Sequence, residues 1–238
     1  MDEIEWWEFD SAAEMATQVA GDIGFVIESA LEAHKDARLA VPGGKTPDLV
    51  YAALLKRKDI DWSRVTLIPT DDRLVTLDDA ASNHNKLTGY FGAKKANIVS
   101  LVDEAALGDY KEAGRLADAH LSLLQWPLDL ACLGMGADGS VAGIYPGAEY
   151  DAAINGPRSR RAIGLRPDPL PEGDKSDRVT LTAAALASAR TVMVMITGDE
   201  KRSVLEQAIK EGPLSSAPIG RVLANIEVPI DIFWCPEA

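Results

Sequence analysis

The sequence predicts an α/β fold, a mostly parallel twisted sheet with helices on both faces, doubly wound in the Rossmann-like manner. Three observations predict it. Short apolar runs alternate along the chain with longer stretches of helical periodicity, the order that builds βαβ units. The runs are apolar at nearly every residue, as Val192 to Ile196 is, which suits strands buried on both faces. Several of them end in a short polar or glycine-bearing loop, and ligands of such sheets bind outside the carboxyl ends of the strands. A chain of 238 residues with 47% hydrophobic content is long enough to bury the core this fold requires. With no internal repeat or low-complexity tract, residues 1–238 are assigned to one domain.

Ser11 and Glu14 form a capping box ahead of a helix running to about Ala33, whose apolar stripe is Met15, Val19, Ile23, Val26 and Ile27. Arg38 to Val41 is a short strand that meets Pro42, Gly43 and Gly44. Thr46 then serves as N-cap and Pro47 as a first-turn proline for a helix through about Leu55. Val65 to Pro69 and Ile98 to Val102 read as strands, Asp109 to Leu124 as a helix, and Leu128 to Leu133 as the strand feeding a glycine loop. An irregular segment, Pro146 to Arg160, precedes a strand at Arg161 to Leu165 and a polar loop at Arg166 to Asp177. A strand or a helix begins at Arg178. Val192 to Ile196 is the clearest late strand, followed by a helix from Asp199 to Glu211 and a closing apolar run, Ile230 to Trp234.

Composition narrows the partners. A net charge of −13 and a pI near 4.7 disfavour nucleic acid and acidic membrane surfaces. No apolar run is long enough to span a bilayer, and the opening MDEIEWWEFD is acidic and aromatic, unlike a secretory leader, so the expected compartment is the cytoplasm. Cys132 and Cys235 lie far apart, without metal-ligand spacing, and read as free thiols.

Four loops fall at predicted strand ends. In Pro42-Gly-Gly-Lys-Thr-Pro47, Gly43 and Gly44 let backbone amides approach a ligand, a helix begins just beyond, and Lys45 and Thr46 are donors, a combination suited to phosphate or to a plain tight turn. Asp71, Asp72 and Arg73 place two carboxylates beside a cation, which can orient hydroxyls and hold one acid ionised for proton transfer. Lys201 opens a helix, where a cation opposes the macrodipole and invites an anionic partner. Gly134-Met-Gly-Ala-Asp-Gly139 satisfies the G-x-G-x-x-G spacing of dinucleotide folds. It lies mid-chain, however, and is followed about twenty residues on by Ser159, Arg160 and Arg161 rather than a ribose-binding acid.

In order, these segments resemble the 6-phosphogluconolactonase family, within the wider sugar-phosphate isomerase and deaminase group. Pro42-Gly-Gly-Lys-Thr-Pro47 is similar to the family's Ser-Gly-Gly-Ser-Thr-Pro loop, Asp71-Asp72-Arg73 to its Asp-Glu-Arg, and Leu133-Gly-Met-Gly-Ala-Asp-Gly139 to its Leu-Gly-Met-Gly-x-Asp-Gly run. Ser82-Asn83, Tyr145-Pro-Gly147, Arg178-Val-Thr-Leu-Thr182 and Gly198-Asp-Glu-Lys201 follow in the same order. The resemblance implies hydrolysis of 6-phosphogluconolactone to 6-phosphogluconate in the pentose phosphate pathway, with no metal or organic cofactor. It also implies phosphate contacts from Gly43, Gly44, Arg73, Arg178 and Lys201, with Lys45 an added cation.

Ser140 stands where the family carries the histidine expected to activate water. A serine hydroxyl is too weakly basic to take a proton from water unaided at pH 7. Asp138, or the Asp71 and Asp72 pair, is the expected replacement, with Ser140 orienting the water; His84, beside Asn83, is another candidate, while His34 and His120 fall in predicted helices. The alternatives are a lactonase for a different lactone, a non-catalytic binder of sugar phosphates or sugar acids, and an isomerase-deaminase acting on glucosamine 6-phosphate. Whether the chain is a monomer or a homodimer is left open by the sequence.

Overall fold

The computed structural model describes residues 4–169 and 177–237. The chain opens with β1 (Ile4–Glu8), α1 (Ala12–His34), β2 (Ala37–Val41) and α2 (Thr46–Leu54). It continues through β3 (Val65–Pro69), β4 (Asp71–Arg73), α3 (Asn83–Phe91) and β5 (Asn97–Ile98), then α4 (Tyr110–Leu121) and β6 (Leu130–Gly134). The second half adds α5 (Tyr150–Asn155), β7 (Ala162–Leu165), β8 (Arg178–Leu181), α6 (Ala183–Ala187) and β9 (Thr191–Thr197). It ends with α7 (Asp199–Glu211), α8 (Pro218–Leu223) and β10 (Ile230–Cys235).

Seven strands form one parallel sheet in the order β1-β10-β9-β6-β2-β3-β5. Because successive side chains of a strand point to opposite faces, each central strand feeds two cores. On β9, Val192, Val194 and Ile196 pack with α4, α6, α7 and α8, whereas Met193 and Met195 pack on the other side, with α1, α2 and α3. Leu130 and Cys132 of β6 divide from Ala131 and Leu133 in the same way. This two-sided burial is the reason the strands read as continuous apolar runs rather than as alternating ones.

After β2 the chain adds strands in one direction, through β3 to β5, and after β6 in the other, through β9 and β10. The neighbours β2 and β6, paired through Leu39 with Leu130 and Ala40 with Ala131, therefore mark the switch point of the sheet. The glycine loops after Val41 and after Leu133 leave from the same end of these two strands.

The structure alters the sequence expectations in several places. β7 and β8 do not join the parallel sheet; with β4 they form a separate antiparallel sheet, β4-β8-β7. The strand expected over Ile98 to Val102 pairs only at Asn97 and Ile98, with one further bond from Val99 N to Leu67 O, before the chain turns away. Thr46 is the first helical residue of α2 and not its N-cap; that place falls to Lys45, which makes no side-chain capping bond. Ser11 does cap α1, accepting from Glu14 N, while the Glu14 carboxylate reaches Asp10 N. The strand β1 and the helices α3, α5, α6 and α8 were not anticipated: each is short or lacks an apolar stripe, so its pairing or packing defines it. Of the expected polar loop at Arg166 to Asp177, residues 170–176 lie outside the described residues.

Candidate active site

A cavity of about 230 Å³ opens at the switch point, and its wall draws on both sheets, the loops after β2 and β6, and the first turns of α2, α3 and α7. The loop after β2 contributes Gly43, Gly44, Lys45 and Thr46; the loop after β6 contributes Gly136, Ser140 and Tyr145. Asp71, Arg73 and Arg178 enter from the small sheet, Asn83 from the start of α3 and Lys201 from the first turn of α7.

The loop after β2 lies against α3. A Cβ on Gly43 would fall 2.0 Å from Asn83 Oδ1, so only glycine allows this approach. Asn83 Nδ2 donates to the carbonyl of Asp71 at 2.7 Å, which ties the loop, α3 and β4 together. Tyr51 fixes the loop from the core side by donating to Pro42 O at 2.6 Å, and Lys86 reaches Gly44 O from α3.

Alternation along β4 separates the two acids that the sequence places side by side. Asp71 faces the cavity, where Oδ2 accepts from Arg178 Nη1 at 3.1 Å and Oδ1 accepts from Thr70 at 3.3 Å. Asp72 turns away, is fully buried, and is not part of the cavity wall. It accepts from the backbone amides of Arg73, Asn83 and His84 at 2.9, 2.6 and 2.9 Å and from Ser82 Oγ at 3.2 Å, and so anchors the N-terminus of α3. Burial lifts its carboxyl above the usual carboxylate range, against the opposing effect of these amide donors and with a further upward push from the charge of Asp71. Asp72 is thus a structural anchor in place of a second proton-transfer group. His84, the other candidate on α3, does not line the cavity either, and its Nδ1 is buried without a hydrogen-bond partner.

Arg73 and Arg178 are direct partners across the antiparallel pair of β4 and β8, so their side chains leave the sheet on the same face. Like charges so placed repel, and Asp71 offsets the charge of Arg178, while Arg73 Nη1 donates to Ala81 O at 3.0 Å. With Lys45 and Lys201, four cationic side chains and one carboxylate line the cavity. That excess of positive charge, beside the N-terminal turns of α2 and α7, suits a dianion.

The loop after β6 forms another part of the cavity wall. Met135 bridges to Val141 and Val141 to Ile144, and the amide of Gly136 donates to Ser140 O at 2.9 Å, so the loop folds back on itself. Gly143 has a φ of +63°, and a Cβ there would fall 2.5 Å from Asp71 Oδ2; glycine is needed for both conformation and space. Ser140 is buried but contributes to the cavity wall, and its hydroxyl donates to Asp138 Oδ1 at 2.6 Å. Its backbone amide donates to the same oxygen at 3.0 Å. Asp138 itself is not in the wall, so it communicates with the cavity through Ser140.

Of the residues expected from the sequence, the fold gathers Gly43, Gly44, Lys45, Thr46, Asp71, Arg73, Asn83, Ser140, Arg178 and Lys201 around one cavity; Asp138 stands one hydrogen bond behind them. Sequence reasoning missed Tyr145 as a wall residue, and Thr70. Tyr145 was visible only as a member of the Tyr-Pro-Gly motif. Among the described residues, no group of three or more His, Cys, Asp or Glu side chains is placed to hold a metal, and no helix is long and apolar enough to cross a membrane.

A cation-lined cavity at the switch point of a parallel sheet, with Ser140 in its wall and Asp138 one hydrogen bond behind it, marks an α/β protein whose site suits an anionic ligand. The sequence profile described as glucosamine-6-phosphate isomerases/6-phosphogluconolactonase matches residues 10–231, and the chain belongs to that family. It is 32% identical over 232 residues to 6-phosphogluconolactonase of Rhizobium meliloti, covering 96% of this chain and 97% of the relative. It is 33% identical over 230 residues to the Pseudomonas aeruginosa protein of the same name, covering 95% and 92%. Its fold is similar to the crystal structure of a 6-phosphogluconolactonase from Shewanella baltica, with a TM-score of 0.88, 29% identity and 98% of each chain covered.

Proposed function

We propose that this protein hydrolyses 6-phospho-D-glucono-1,5-lactone to 6-phospho-D-gluconate, the lactone-opening step of the pentose phosphate pathway. The observation that carries the reading is the 2.6 Å hydrogen bond to Asp138 from Ser140, a residue in the wall of a cavity that four cationic side chains also line. Arg73, Arg178, Lys45 and Lys201, with the amides of Gly43 and Gly44 and the hydroxyl of Thr46, hold the phosphate. The lactone carbonyl then lies toward Ser140.

In this reading Ser140 Oγ accepts a hydrogen bond from the attacking water while donating to Asp138. The water oxygen adds to the lactone carbonyl carbon, its proton passes to Ser140 Oγ, and the serine proton passes to Asp138. The ring C–O bond then breaks, the departing oxygen takes back through Ser140 the proton held by Asp138, and the carboxylic acid so formed releases its own proton to solvent, leaving a carboxylate and the starting state of the site. Asp71 remains the counter-ion of Arg178 and does not enter the proton transfer. The relatives named 6-phosphogluconolactonase at 32% and 33% identity support this substrate.

The test is hydrolysis of freshly generated 6-phosphogluconolactone against its spontaneous rate, beside unphosphorylated gluconolactone. Acceleration of the phosphorylated lactone alone is expected. A second reading, a non-catalytic binder of the same sugar phosphates, draws on the absence of any histidine from the cavity wall among the described residues. That reading predicts a thermal shift with 6-phosphogluconate and no rate above the spontaneous one.

A further inference from the structure

We propose that Tyr145 is a specificity-determining residue of this site, its phenol hydroxyl hydrogen-bonding one of the ring hydroxyls of the sugar-phosphate ligand. The inference rests on the reading above, that the cavity takes a phosphorylated sugar lactone, and adds how the polyol part of that ligand is recognised.

Tyr145 belongs to the cavity wall, five residues beyond Ser140 on the same loop. Its ring lies over the Arg178 guanidinium, with the carbon of the guanidinium 5.1 Å from the ring centroid. Arg178 is in turn buried and held by Asp71 at 3.1 Å, so the ring rests on an anchored partner. Ile144, fully buried beside it, and the bridge from Val141 to Ile144 fix the backbone from which the ring projects. The tyrosine is therefore positioned before any ligand arrives.

Its hydroxyl makes no hydrogen bond with the described residues, unlike that of Tyr51, which donates to Pro42 O, or Tyr110, which donates to Glu149. Three other neutral polar groups of the wall are already engaged. Thr70 donates to Asp71, Asn83 Nδ2 donates to Asp71 O, and the Ser140 hydroxyl donates to Asp138. A sugar lactone carries hydroxyls between its phosphate and its carbonyl, and the Tyr145 phenol, a neutral donor and acceptor in the wall with no hydrogen bond to the described residues, is available to meet one of them. A site built to hydrogen-bond a substrate hydroxyl rejects analogues that lack it more strongly than an apolar wall does.

The experiment measures binding of 6-phosphogluconate and its 2-, 3- and 4-deoxy analogues to wild type and Tyr145→Phe by calorimetry, with inorganic phosphate as control. Tyr145→Phe is expected to bind 6-phosphogluconate about 10-fold more weakly, the scale of one neutral hydrogen bond, and to bind inorganic phosphate as wild type does. One deoxy analogue is expected to bind wild type about 10-fold more weakly than 6-phosphogluconate, and that penalty should vanish in Tyr145→Phe. Equal discrimination by both proteins, or unchanged affinity in the variant, overturns the role of Tyr145 while leaving the sugar-phosphate reading intact. Failure of folded wild type to bind 6-phosphogluconate overturns both.

Discussion

Asp138 Oδ1 accepts both the hydroxyl of Ser140, at 2.6 Å, and its backbone amide, at 3.0 Å, so one carboxylate oxygen fixes the whole residue. The second oxygen takes no part in either bond. Ser140 is thereby held with its hydroxyl proton directed at Asp138 and its lone pairs available to a ligand or water in the cavity. In the proposed mechanism this pairing makes a residue with no useful basicity of its own the near end of a two-residue proton path.

Asp138→Asn keeps the size of the side chain and removes the charge. If Asp138 is the final proton acceptor, kcat for 6-phosphogluconolactone falls about 100-fold, the lower end of general-base effects. KM should stay nearly constant, because the phosphate contacts are untouched. Steady-state kinetics with freshly generated lactone reads both; an unchanged kcat removes Asp138 from the mechanism.

Ser140→His supplies a base that titrates near neutrality. Turnover should rise, with a ceiling of about 10²- to 10⁴-fold for added general-base catalysis. The pH-rate profile should gain an inflection near 6.5, the ordinary histidine value. A folded variant with no gain would show that more than the base separates this site from a fast lactonase.

The cationic wall is tested most cleanly at Lys201, which makes no hydrogen bond or ion pair through its ammonium among the described residues. Lys201→Ala should raise KM about 10-fold, the equivalent of one charge-assisted hydrogen bond, with kcat and thermal stability near wild type. Arg178→Ala should also raise KM, but it leaves Asp71 buried without its ion-pair partner, and breaking such a pair costs about 3–5 kcal/mol. The two variants should therefore differ in urea midpoint far more than in phosphate affinity.

Asp72 carries the clearest acid-linked contribution to stability. Burial raises its carboxyl in the folded state, so the folded protein keeps that proton to higher pH than the unfolded chain does. The contribution is full below the usual carboxylate range and is lost as pH rises through the folded value. Asp72→Asn removes this titration. The stability difference between wild type and variant, from urea unfolding, should shrink as pH rises through that window; a constant difference would mean the carboxyl titrates alike in both states.

Both cysteines should be silent in the native protein. Burial pushes the Cys132 thiol up to about 12 and raises that of Cys235, and only the thiolate reacts readily. Titration with a thiol reagent should count no fast thiol in buffer and two in urea. A fast native thiol would place one of them at a surface.

Much of the architecture was legible because its signals are local. The strand Val65–Pro69 and the helix Asp199–Glu211 carry the boundaries their sequence periodicity and flanking residues predict, and Ser11 caps the helix it precedes. The glycine loops and their cations were legible too, since the residue types that cradle an anion recur at strand ends. The small antiparallel sheet was not. Nothing in Asp71-Asp72-Arg73 announces that it will pair with Arg178-Val179-Thr180, because that register is set by contacts between segments more than a hundred residues apart; Arg178 meets Asp71 across 107 positions.

The sequence by itself determined the α/β order, the loops that carry polar chemistry and the absence of histidine from position 140, because composition, periodicity and motif spacing are written along the chain. Only the tertiary structure decided what each acid does. Adjacent residues of a strand face opposite ways, so Asp71 enters the cavity as the partner of Arg178 while Asp72 is spent on the amides that open α3. Asp138, two residues from Ser140, stays outside the cavity wall because the glycine turn folds its carboxylate back onto the serine it serves.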